Sequence, residues 1–221
     1  NSHNGFLEEI AKFRAAREIW AKIMKNRFNV SDEKAMLCRF HVQTGGSTLT
    51  AQQVENNIAR TTIQALSAVL GGAQSLHTNS FDEALALPTI NSAKIALRTQ
   101  QIIAHETGVT NYVDPLANSE QVEELTKKMI DDVRYILEEV DSKGGAIDAI
   151  KDGWIQDEIS NSSYKFQQSI DAKEKIVVGL NKYIEDEEID INLQKIEENA
   201  LKKQLAEIKK LKNNRDNAEV K

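Results

Sequence analysis

From Phe6 to Phe28 the apolar residues Phe6, Ile10, Phe13, Ile19, Ile23 and Met24 recur at helical spacing, with Lys12, Arg14, Arg17 and Lys22 between them. This period predicts an amphipathic helix. A turn at Asn29 to Asp32 follows, and the mostly apolar stretch Met36 to Val42 reads as a buried strand. After the polar loop Gln43 to Thr50, the helical period returns over Gln52 to Leu70 through Val54, Ile58, Ile63, Leu66 and Leu70. Gly71-Gly72 supplies the backbone freedom at which helices commonly stop. Ala73 to Thr78 is a second strand, Asn79 to Glu83 a polar stretch, and Asn91 to Thr107 a helix closed by Gly108. Helix, strand, helix, strand, helix is an α/β alternation with parallel strands.

Beyond Gly108 helical periods take over. Ser119 to Ser142 carries Val122, Leu125, Met129, Val133, Ile136, Leu137 and Val140 on one face, and Lys143-Gly144-Gly145 breaks it. Ala146 to Lys151 and Trp154 to Ala172 continue as helices. Lys175 to Leu180, with Ile176, Val177 and Val178, reads as either a short strand or an extended docking segment. Asn192 to Arg215 is rich in lysine and glutamate, with Leu193, Ile196, Leu201, Leu205, Ile208 and Leu211 as a sparse seam. It reads either as a solvated helix along a larger body or as a coiled-coil partner.

The 221 residues are 40% hydrophobic and 28% charged, a balance that supports a buried core. A net charge of −6 removes the electrostatic case for nucleic acid, which needs a concentrated basic face. No apolar run reaches the roughly 18 residues of a membrane span. The single cysteine, Cys38, forms no internal disulfide and reads as a small buried apolar residue, which fits a reducing cytoplasm. Asn1 to Gly5 lacks the features of a signal peptide and reads as a cut edge.

Candidate chemistry gathers where the strands end. His41 and Gln43 are two apart and point the same way on a strand, and Gly45-Gly46 follows, where a flat ligand can approach bare backbone. Gln74, His77, Asn79, Asp82 and Glu83 crowd the second strand in the same manner. Bland alternatives stand beside these: His41 as a hydrogen-bonded core histidine, and Asn79, Asp82 and Glu83 as caps of the next helix. No metal-ligand spacing, phosphate-binding glycine loop or nucleophile elbow is present. Spacing alone names no reaction.

The same residues carry a resemblance. Arg39-Phe40-His41-Val42-Gln43-Thr44-Gly45-Gly46-Ser47-Thr48-Leu49-Thr50-Ala51-Gln52-Gln53, then Asn56-Asn57-Ile58-Ala59-Arg60-Thr61, closely resembles the barrel subunit of methylmalonyl-CoA mutase and its acyl-CoA mutase relatives. So does Gly71-Gly72-Ala73-Gln74-Ser75-Leu76-His77-Thr78-Asn79-Ser80-Phe81-Asp82-Glu83-Ala84-Leu85-Ala86-Leu87-Pro88, and the likeness runs from Phe6 to Tyr183. It implies an α/β fold: residues 1–108 as the C-terminal part of a (β/α)8 TIM barrel, 109–184 as a helical extension packed on it, and 185–221 as a charged tail. It also implies an isomerase using adenosylcobalamin as a radical source to rearrange an acyl-CoA, interconverting methylmalonyl-CoA and succinyl-CoA. Isobutyryl-CoA or 2-hydroxyisobutyryl-CoA mutase is the alternative within the class, and a non-catalytic helical assembly remnant the alternative outside it.

Carried residue by residue, the resemblance assigns Gly46, Asn79, Glu83 and Ala86 to the cofactor side and His41, Gln43 and Gln74 to the active cavity. Glu83 is apt to accept hydrogen bonds from two ribose hydroxyls. No metal ligand is assigned, because no histidine has the Asp-x-His-x-x-Gly context, so the lower cobalt ligand is expected from another domain or chain. Expected partners are the acyl-CoA substrate, a cobalamin-binding small subunit or domain, the N-terminal barrel half and further copies in an oligomer, with neither nucleic acid nor membrane. Two strands fall short of the eight that close a barrel. Asp114-Pro115-Leu116-Ala117-Asn118-Ser119-Glu120 departs from the glycine-rich loop of relatives, and Glu18 stands where a basic residue is common.

Overall fold

A computed structural model describes residues 1–186, 192–195 and 198–219. Its elements are α1 (Phe6–Asn26), β1 (His41–Gln43), α2 (Asn56–Leu70), β2 (Ser75–His77), α3 (Ile90–Glu106), α4 (Glu120–Ser142), α5 (Ala146–Lys151), α6 (Trp154–Asp171) and α7 (Glu198–Asn214). Short 3-10 turns lie at Gly46–Thr48 and Val109–Asn111.

The strands are parallel, as the alternation predicts, with His41 beside Ser75, Val42 beside Leu76 and Gln43 beside His77. A third segment joins them. Ser2 forms a parallel bridge to Thr44, its N–H donating to the Gln43 carbonyl at 2.9 Å while its own carbonyl accepts from Gly45 N at 2.7 Å. The order is therefore Ser2, β1, β2, a stepwise parallel progression with α1 and α2 as crossovers.

Both strands are shorter than the hydrophobic pattern predicts. Asp32 explains the first: its carboxylate accepts from Lys34 N at 2.9 Å, and its carbonyl from Ala35 N at 3.1 Å. That turn coils Met36 out of the extended conformation, so Met36 to Phe40 never enters the ladder. The second begins at Ser75 rather than Ala73, because Ala73 N still bonds the Ala68 carbonyl at the end of α2. α2 likewise starts at Asn56 and not Gln52, since Gln53 sits at φ 45°, which no right-handed helix accommodates.

The core lies between strands and helices. Val42, 1% exposed, packs with buried Phe13 and Ala68, and Phe40, Ala73 and Leu76 close over them. Burying such a valine contributes about 2 kcal/mol. Phe13 and Phe40 stack at 5.4 Å. Thr89 caps α3 by accepting from Ser92 N at 3.1 Å, and Gly108, at φ 71°, turns the chain out of it.

α4 lies along α1. Arg14 of α1 donates to both Asp114 oxygens at 2.8 and 2.7 Å and to Glu123 at 2.6 Å, and Arg27 donates to both Asp141 oxygens at 2.9 and 3.1 Å. The loop around Asp114 is thus pinned to α1. Glu18, by contrast, pairs only with Lys22 one turn on. An open apolar groove of about 370 Å³ separates the two helices, lined by Trp20, half-buried Cys38, Met129, Val133 and Leu137.

Lys175 to Leu180 forms no strand. It is a loop with one bridge, Val178 to Lys182, docked on α2 by Arg60 donating to the Val178 carbonyl at 2.6 Å and on the turn before α2 by Gln53 donating to the Tyr183 carbonyl at 2.8 Å. The last helix is Glu198–Asn214, and Asn199 to Glu219 are exposed throughout, including Leu201, Leu205, Ile208 and Leu211. Ile196 of the predicted seam lies outside the described residues. Among those residues no helix is long and apolar enough to cross a membrane.

Candidate functional site

Side chains alternate across a strand, and here the alternation separates core from chemistry. Val42 and Leu76 face the helices, while His41 and Gln43 on β1 and Ser75 and His77 on β2 project from the other face, all exposed. His41 Nδ1 and Ser75 Oγ are 2.5 Å apart, a cross-strand pair at the start of the ladder. His41 is therefore on the open face and not in the core.

At the C-terminal ends the loops are fastened together. Asn79, 2% exposed, donates from its backbone N–H to Thr44 Oγ1 and from Nδ2 to the Thr44 carbonyl, both at 2.9 Å. Its Oδ1 accepts from Gln43 Nε2 at 2.9 Å. Both strands thus leave the sheet in a fixed relation.

Glu83 completes the cluster. A Cβ on Gly46 would collide with Glu83 Oε1 and lie 3.1 Å from Asn79 Nδ2. Glycine at 46 therefore admits the carboxylate and the amide against bare backbone. Glu83 accepts no hydrogen bond from the described residues, although the residue as a whole is exposed. Partial desolvation of the carboxylate raises its pKa, opposed by His77 and reinforced by Asp82. A carboxylate with free lone pairs, beside a buried amide and a side-chain-free backbone, is a donor-seeking site. It fits a vicinal diol.

Asp82 shapes the turn that presents Glu83. It is fully buried, its Oδ2 accepts from Thr89 N at 3.2 Å, and its carbonyl accepts from Leu85 N and Ala86 N at 2.9 and 3.1 Å. Its Oδ1 has no partner among the described residues. Half-buried Ala86 stands at the far end of this turn.

The structure brings Gly46, Asn79, Glu83 and Gln43 together and sets His41 one pleat below. Gln74 is elsewhere. Its Oε1 accepts from Phe40 N at 2.8 Å and its Nε2 donates to the Gly72 carbonyl at 2.9 Å, so it braces the N-terminal ends of both strands. Crowding in sequence does not mean crowding in space here, because three residues of β2 lie between Gln74 and the far loop.

Two residues that the pattern passes over hold the site in shape. Asn57 of α2, fully buried, donates to the carbonyls of Thr50 and Phe81 at 2.8 and 2.9 Å and accepts from Thr50 N at 3.1 Å, joining both strand-end loops to one helix. Gln64, two turns on, accepts from Gly45 N at 2.8 Å and donates to Asn4 Oδ1 and Thr48 Oγ1, both at 2.6 Å. An amide seven residues from another on a core-facing helix is the signal that marks them. Among the described residues no three His, Cys, Asp or Glu side chains group to hold a metal ion.

Comparison with known proteins bears on this geometry. A family model described as methylmalonyl-CoA mutase matches residues 1–221. The large subunit of 2-hydroxyisobutanoyl-CoA mutase from Aquincola tertiaricarbonis is 46% identical over 220 residues, covering 99% of this chain and 39% of that protein. Methylmalonyl-CoA mutase of Rhizobium meliloti is 43% identical over 217 residues, 98% of this chain and 30% of that one. The mitochondrial methylmalonyl-CoA mutase of Mus musculus is 42% identical over 214 residues, 96% of this chain and 29% of that one. The chain thus spans between 29% and 39% of the length of these relatives.

Proposed function

This chain belongs to the methylmalonyl-CoA mutase family, and we propose that it supplies the last strands of a (β/α)8 barrel in an adenosylcobalamin-dependent acyl-CoA mutase. Residues 1–108 are the barrel part, 109–184 the helical extension and 185–221 the tail. The remaining strands, a cobalamin-binding domain or subunit with the lower cobalt ligand, and further copies complete the enzyme. The observation that carries this reading is the cluster of Gly46, Asn79 and Glu83 at the C-terminal ends of parallel strands, where such folds place their chemistry.

Bound adenosylcobalamin supplies the radical that starts the rearrangement. Glu83 would accept hydrogen bonds from the two ribose hydroxyls, while Asn79 holds Thr44 and Gln43 in register beside it. Ala86 presents a small apolar surface on the same side. His41 and Gln43 offer side-chain hydrogen-bond donors on the open face that would orient a thioester. Gln74, from the opposite end of the strands, steadies the sheet.

The acyl group is methylmalonyl-CoA going to succinyl-CoA in the first reading. A second reading, 2-hydroxyisobutyryl-CoA or isobutyryl-CoA, is supported by the match of 99% of this chain to the large subunit of 2-hydroxyisobutanoyl-CoA mutase. Turnover of the three thioesters by the full polypeptide with its cobalamin-binding part separates them. In that enzyme Glu83→Ala weakens adenosylcobalamin binding about tenfold, the loss of a charge-assisted hydrogen bond, and leaves acyl-CoA affinity unchanged. Equal cofactor affinity in the variant and its parent overturns the assignment.

A further inference from the structure

We propose that His3 is a further positioning residue of this site, hydrogen-bonding a carbonyl oxygen of the bound organic ligand from a seat over Gly45. The inference rests on the mutase reading and deepens it.

The pleat sets the direction. Ser2 is the bridge partner of Thr44, and its side chain is buried toward α2, donating to the Gln64 carbonyl and sharing a hydrogen bond with Ser67 Oγ, each at 2.8 Å. The next residue therefore projects from the opposite face, the one that carries His41, Gln43, Ser75 and His77. His3 is exposed there and makes no hydrogen bond to the described residues.

The seat is built. A Cβ on Gly45 would stand 2.8 Å from His3 Cδ2 and 3.2 Å from Nε2, inside contact distance. Gly45 has φ −77°, a backbone that any residue adopts, so space and not conformation calls for glycine. Of the two glycines expected to admit a flat ligand, Gly45 admits an imidazole of this chain and Gly46 admits Glu83. Burial holds the His3 pKa below its ordinary value, opposed by Glu9 and assisted by Lys12. A neutral imidazole offers one N–H donor and one acceptor, a match for the carbonyl oxygen of a thioester or of a corrin side-chain amide.

Two binding titrations on the full polypeptide with its cobalamin-binding part test this: adenosylcobalamin alone, and isobutyryl-CoA without cofactor. His3→Ala is expected to weaken one of them about fivefold or more, and the one that moves identifies which carbonyl is held. Gly45→Ala, which pushes the imidazole off its seat, is expected to weaken the same titration to a similar degree. In the double variant the new methyl occupies the vacated space, so the loss stays within twofold of His3→Ala, with the Ser2 carbonyl, 3.1 Å from that methyl, its remaining tight neighbour. Equal melting temperatures of His3→Ala and its parent separate lost binding from lost folding. Affinities within twofold of the parent in both titrations for His3→Ala, or losses that multiply in the double variant, overturn the inference alone. A parent enzyme that binds neither ligand overturns the mutase reading and this inference with it.

Discussion

Asn57 makes more of the site than its anonymous place in a helix suggests. Replacing it with alanine strands the N–H and carbonyl of Thr50 and the Phe81 carbonyl without their partners. Buried groups left in that state cost on the order of 1–3 kcal/mol each, moderated where water reaches them. We expect Asn57→Ala to lower stability by about 2 kcal/mol in urea titrations of the full polypeptide, and a loss under about 0.5 kcal/mol would mean the bracket is dispensable. Glu83 gives a pH signature. Burial raises its folded pKa above the unfolded value, so its contribution to stability is fully present below the ordinary glutamate range and is lost as pH rises through the raised value. Relative to Glu83→Gln, the parent therefore loses stability across that window and runs parallel above it. Denaturation midpoints measured from pH 4 to 8 check this, and profiles parallel throughout would remove the desolvation argument. At this scale His41, Gln43 and Glu83 are legible from pattern and motif, because polar side chains at strand ends break the hydrophobic run. Gln64 and Asn57 show in the sequence only as two amides seven residues apart on a core-facing helix, and the partners that make them matter, far away in sequence, do not show at all.

The helices show how a local rule and a tertiary one divide the work. The starts and stops of α1, α3 and α4 follow from period, Thr89 and the glycines, and the sequence reading places them within a residue or two. The strands are overestimated because an apolar run predicts burial, whereas a ladder requires a partner of equal length. Asp32 and Ala73 decide the true ends, one through a turn and the other through a helix-terminal bond. The seating of α4 on α1 has a polar anchor in the fork of Arg14 across Glu123 and, in the loop before α4, Asp114, with the Arg14 side chain 15% exposed. Asp114 and Asn118, at φ 45° and 61°, sit in the left-handed region, so the loop is held in shape by its anchor and not by its backbone preference. Arg14→Ala and Asp114→Ala are each expected to cost about 1 kcal/mol. Thermal denaturation of both singles and the double checks the coupling: strictly additive losses would show that the fork contributes nothing as a unit.

At the scale of the whole molecule, the α/β alternation and the helical extension are readable from periodicity, and the parallel pairing of β1 with β2 follows. The Ser2 bridge is not readable, because a single paired residue has no period. Among the described residues nothing pairs with the outer edge of β2, and α3 leaves Ile90, Leu97 and Ile102 exposed at 90%, 51% and 48%. Exposed edges and apolar faces of this kind attract other chains. Prepared as an isolated 221-residue polypeptide, the chain is expected to self-associate at micromolar concentration and, on the barrel reading proposed above, to become monodisperse when the other strands of that barrel are supplied. Sedimentation velocity distinguishes the two, and a stable isolated monomer would argue against barrel completion. The clamp of Ser2 on Gln64 and Ser67 spans 62 and 65 residues of chain. At about 5–20 residues per second of synthesis, the N-terminal segment leaves the ribosome some ~3–13 seconds before its fastening points exist. α1, whose bonds are local, has time to form in that interval, while the segment that carries His3 stays unclamped until α2 emerges. The segment that carries His3 is thus left open until α2 has been made, and a pause in elongation between Ser2 and Ser67 lengthens the time it spends open to chaperones and proteases.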